Sequence, residues 1–131
     1  MSGFQWTMRI LSALVLLTVG GIHLFLVFDG VGGVLGVLFV LNAIAALALA
    51  IAMVVLRGVL LRWAVVLSLL FVIATLVSLL LALTIGLFGI HEVWTFTLVP
   101  QTIVIESIGI VILAVACMAL LRRPSVARVA S

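Results

Sequence analysis

Hydrophobic positions run along the chain in four stretches, Ile10 to Phe28, Val34 to Leu56, Trp63 to Phe88 and Thr102 to Leu121, and most polar residues collect in the gaps between them. A helix needs roughly 20 residues to cross a hydrocarbon core, so each stretch predicts a membrane-spanning helix. The gaps are DGVGG (29–33), RGVLLR (57–62) and GIHEVWTFTLVPQ (89–101). Connections this short make consecutive helices antiparallel neighbours. The expected fold is an all-α, antiparallel bundle of four transmembrane helices over residues 1–123, followed by a polar tail at 124–131.

Within the stretches, helical spacing separates a small or polar face from a branched one. In the fourth, Thr102, Glu106, Gly109, Leu113 and Ala116 share an inward face, against Val104, Ile108, Val111 and Val115. The second places Asn42, Ala45, Ala46, Leu49 and Ala52 opposite Val40, Ile44, Leu47, Ile51 and Val55. The first contributes Ser12, Leu16, Gly20 and His23, and the third Ser68, Thr75, Ser78, Ala82, Gly86 and Gly89. Lipid provides no hydrophobic drive between helices, so membrane bundles pack through small residues and a few interhelical hydrogen bonds.

Composition sharpens this picture. The chain is 69% hydrophobic and 7% charged, against about 45–50% and 25% in a soluble domain, so it reads as an integral membrane protein. The net charge of +3 comes from six arginines set against Asp29, Glu92 and Glu106. Every arginine (Arg9, Arg57, Arg62, Arg122, Arg123, Arg128) falls at one end of the predicted spans. By the positive-inside rule both termini are cytoplasmic, in a plasma (inner) membrane, and the Asp29 and His91–Glu92 segments face out. No basic stripe with interleaved aromatics is present, which sets nucleic acid aside as a partner. The bilayer is the expected partner, and so small a bundle leaves room for a homo-oligomer or a membrane-protein partner.

Glu106 is the outstanding residue, because an acid at membrane depth costs a few kcal/mol or more and marks a candidate site by default. At about 1.5 Å per residue from the inner arginines, His23, Asn42 and Glu106 all lie roughly 21 to 24 Å deep, and Ser78 completes the layer. The predicted polar cluster is therefore His23, Asn42, Ser78 and Glu106, with Asp29, His91 and Glu92 at its outer mouth. A gapless alignment of residues 39–58 on 103–122 sets Asn42 on Glu106, as a duplicated hairpin would.

Two functional classes fit this cluster. In one, Glu106 and His23 hydrogen-bond each other and Asn42, holding the helices of a non-enzymatic assembly or accessory component. In the other, carboxylate and imidazole serve a small proton or cation transporter or channel subunit. No HxxH, HExxH or CxxC spacing points to a metal, no cofactor is implied, and no nucleophile–base motif points to an enzyme. Cys117 is a lone cysteine near the inner end and reads as a small buried hydrophobe.

At GGIHLFLVFDG, LGVLFVLNAIAALALA and GLFGIHEVW the chain resembles small four-span membrane proteins of actinobacteria that have no assigned biochemical role. The resemblance singles out His23, Asn42 and Glu92 and brings no mechanism. The glycine-rich DGVGG departs from the bulkier, aromatic-containing loop of that group.

Overall fold

The computed structural model describes residues 1–122; the polar tail at 124–131, with Arg123 and Arg128, lies outside the described residues. Four helices follow in order: α1 (Gly3–Phe28), α2 (Gly33–Val55), α3 (Gly58–Leu83) and α4 (Val99–Leu121). All four are long and apolar enough to cross a membrane, and no named strand occurs among the described residues. The fold is the antiparallel four-helix membrane bundle that the hydrophobic pattern predicts.

The ends of the helices follow local chemistry. α1 starts at Gly3, well before the apolar run, because Ser2 and Gln5 form a reciprocal capping box that satisfies free backbone N–H groups. Pro100 falls in the first turn of α4, where its missing N–H breaks no helical bond. α3 stops at Leu83, although the apolar run continues to Phe88. There Thr84 turns its hydroxyl back to the Leu80 carbonyl, at 2.7 Å, and Gly86 adopts a φ of 89°, a conformation that glycine reaches without strain.

α1 is the central packing element: it lies against α2 along its length and against α4, while α3 packs chiefly on α4. Gly20 brings α1 and α2 together so closely that an added Cβ would stand 2.7 Å from Ala46 Cβ. Gly109 does the same for α4 on α1, where a Cβ would meet Val15 Cγ1 at 2.6 Å. Small residues thus permit the close backbone approach on which membrane helices depend. By contrast, α2 and α3 touch sparsely, even though only Leu56 and Arg57 separate them in sequence. The closed core, with Leu16, Met53, Val65, Val72, Leu113 and Ala116 wholly or almost wholly buried, lies beneath the layer of Glu106.

The first turns of α1 also tie the C-terminal ends of α2 and α4. Arg9 is 1% exposed, and its guanidinium donates to the carbonyls of Met53 (2.7 Å), Val54 (2.9 Å) and Leu56 (2.7 Å) at the C-terminus of α2. The Trp6 ring lies 4.2 Å beneath the same cation. Gln5 donates to the Ala119 carbonyl, near the end of α4, at 3.0 Å. The last carbonyls of a helix have no partner within it, so Arg9 caps the C-terminal end of α2.

Candidate functional site

Glu106 sits one turn into α4 from Thr102 on the face that points inward, and it is 0% exposed. Neither carboxyl oxygen has a hydrogen-bond partner among the described residues. Buried polar groups are ordinarily satisfied, and an exception calls for an explanation. The expected Glu106–His23 hydrogen bond does not form. Instead, the His23 Nδ1–H donates to the Val19 carbonyl of its own helix at 2.8 Å, since a carbonyl can only accept. In the neutral ring Nε2 is then a lone-pair acceptor. The ring stands edge-on to Phe39, with centroids 4.8 Å apart and planes at 85°.

Asn42 takes a different partner from the one expected. Its amide donates to Thr75 Oγ1 at 3.2 Å, and Thr75 passes its own proton to the Phe71 carbonyl at 2.9 Å. This bond bridges α2 and α3, the consecutive helices with the thinnest contact. Asn42 Oδ1 is buried and unpartnered like the two oxygens of Glu106. Ser78 is exposed and bonds only to the Ala74 carbonyl of its own turn, so it supplies no bond between helices.

What brings these residues together is a space. A cavity of about 380 Å³ lies between the N-terminal half of α2 and the C-terminal half of α3, backed by α1 and α4, and His23, Asn42, Ser78 and Glu106 all line it. Its size falls in the usual range for small-molecule sites, about 300 to 1,000 Å³. The walls are mostly apolar, with Leu26, Leu35, Phe39, Phe71 and Leu79 among them. Leu38, Ala74 and Ser78 line the cavity and are exposed, so it opens sideways where α2 and α3 part, and the exposed Phe88 and Thr97 leave it open at the loop end as well.

The loop between α3 and α4 forms the outer cover. Its backbone folds back through Glu92 N–H to the Ala82 carbonyl (2.8 Å), and a short bridge pairs Leu87 with Ile90. Glu92, Phe88 and Phe96 therefore reach the cavity. His91 does not. Its ring packs over Gly86, where a Cβ would meet it at 2.5 Å. Asp29 is exposed at the C-terminal end of α1 and does not line the cavity. Of the three outer residues, Glu92 alone joins the site. Sequence reasoning missed Thr75 as the partner of Asn42, although its place on the third helix's polar stripe was the available signal. It also missed the four phenylalanines, 39, 71, 88 and 96, that wall the cavity. Among the described residues no three His, Cys, Asp or Glu side chains cluster as a metal site would require.

Fold and site together define a multi-pass integral membrane protein with an intramembrane cavity in one half of its bundle. No family model, curated protein or solved structure matches the chain.

Proposed function

We propose that this is a non-enzymatic protein of the plasma (inner) membrane, with both termini cytoplasmic, that holds a small membrane-soluble ligand in its outer-half cavity as a binding or accessory component. One observation carries the reading: Glu106 is fully buried on a cavity wall with both oxygens unpartnered. A side chain kept only to join helices would spend its hydrogen bonds on a neighbouring helix, as Asn42 does on Thr75. Glu106 makes no such bond, although its side chain lies on the cavity wall.

The test is native mass spectrometry of protein purified in lipid nanodiscs, comparing wild type with Glu106→Leu. A small molecule is expected to accompany the wild type and to be lost from the variant. If the wild type carries no added mass and is not stabilised by any lipophilic amine, alcohol or acid, the binding reading fails.

A second reading, a proton or cation carrier, is favoured by Glu92 and Glu106 lining one cavity. The packed residues below Glu106 close the inner half, so a carrier would need a second arrangement of the helices. Proteoliposomes provide the measurement. A carrier shows a proton or cation flux that Glu106→Gln abolishes, and absence of wild-type flux under several gradients ends that reading. The same vesicles check orientation, with Asp29→Cys labelled from the side opposite to Ser2→Cys.

A further inference from the structure

We infer that the ligand of this cavity is a lipophilic amine in its protonated form, an ammonium that retains at least one N–H, reaching the site sideways from the bilayer between α2 and α3. The inference rests on the ligand-binding reading above and names the chemical class of the occupant.

The argument starts from a count of hydrogen-bonding capacity. Both Glu106 oxygens and Asn42 Oδ1 are buried acceptors without a donor, and Nε2 of a neutral His23 is an acceptor on the same wall. Of the cavity's own donors, Thr75 and Ser78 bond within their own helix, Asn42 gives one of its two amide N–H groups to Thr75, and Thr97 and Thr102 bring further hydroxyls to the wall. None of them bonds to Glu106, so a ligand N–H would satisfy its carboxylate where a molecule offering only acceptors would not.

Charge points the same way. Two carboxyl groups, Glu106 and Glu92, line the cavity, and among the described residues no lysine or arginine does. An ionised carboxylate alone at this depth is opposed by several kcal/mol, so a counter-cation beside it is the natural complement. The walls then distinguish organic from inorganic cations. Four phenylalanine side chains are among the lining residues, and aromatic rings suit both an ammonium and its hydrocarbon body. A bare metal ion would need several oxygen or nitrogen ligands, and no such cluster is present among the described residues. Lateral access suits a ligand that partitions into lipid. The exposed rim of Leu38, Ala74 and Ser78 lies between α2 and α3, the consecutive helices with the thinnest contact.

The test is calorimetric titration of nanodisc-embedded protein with phenylbutylamine, using empty nanodiscs as the blank. Phenylbutanol, phenylbutyrate and the trimethylammonium analogue of the amine provide the neutral, anionic and N–H-free comparisons. The amine is expected to bind most tightly. Glu106→Gln should weaken it by about tenfold to a hundredfold, the worth of one charge-assisted hydrogen bond. Acidification should weaken amine binding to the wild type, because protons compete for the same carboxylate.

If phenylbutanol binds as tightly as the amine, or a folded Glu106→Gln binds the amine like wild type, the ammonium assignment is overturned while the cavity remains a ligand site. If no probe of any class binds, both readings fall. Should Glu106→Gln not fold, the wild-type ranking of amine over alcohol and acid, with its pH dependence, decides alone.

Discussion

Arg9→Ala is expected to lower the stability of the folded bundle by about 3 kcal/mol. The guanidinium is buried and donates to three carbonyls at the end of α2, all within 2.9 Å. Removing it leaves those acceptors without a protein donor, and each charge-assisted bond of this kind contributes more than a neutral one. Loss of the stack on Trp6 adds to the effect. Arg9→Lys should recover only part of the loss, since an ammonium is a point charge and lacks the planar fork that spans adjacent carbonyls. Equilibrium unfolding in mixed dodecylsulfate micelles, followed by circular dichroism, measures both. Equal stability of Arg9→Ala and wild type would show that α2 is capped by other means.

The second large effect has the opposite sign. Glu106→Leu is expected to raise stability by about 1 to 4 kcal/mol while abolishing ligand binding. The two side chains are similar in volume, and the leucine removes two buried oxygens that no protein group satisfies. If Glu106 instead joined helices, the same substitution would destabilise the bundle, because it would strand a donor on the opposing helix. The unfolding assay that reports on Arg9 therefore separates a binding site from structural glue. A clear loss of stability in Glu106→Leu would mean that the carboxyl has an interhelical partner, and the binding reading would lose its main support.

These two residues show where reading the chain succeeds and where it stops. The inward face of α4 was legible from spacing alone: Thr102, Glu106, Gly109, Leu113 and Ala116 are all buried. The same holds for Ser12, Leu16, Gly20 and His23 on α1. On α3 the stripe was less faithful. Ser68 and Ala82 are buried, yet Ser78 is exposed, because α2 does not close over that part of the helix. Periodicity reports which residues share a face, whereas a neighbour's distance decides whether that face is covered. The depth estimate placed His23, Asn42, Ser78 and Glu106 in one layer, and all four line one cavity. The bonds expected within that layer were wrong, since His23 turns to Val19 and Asn42 to Thr75.

The sequence by itself determined that four helices are long and apolar enough to cross a membrane, which face of most of them turns inward, and that an acid sits within the fourth apolar run. Those properties follow from hydrophobic run length, a period near 3.6 and the position of each residue along its own helix. Only the tertiary structure decided that α2 and α3 touch sparsely, that Arg9 and Gln5 cap helices other than their own, and that Glu106 lies on a cavity wall without a hydrogen-bond partner. Each of these depends on the separation of elements distant in the chain, which close contacts such as Gly20 on Ala46 set and which no single helix records.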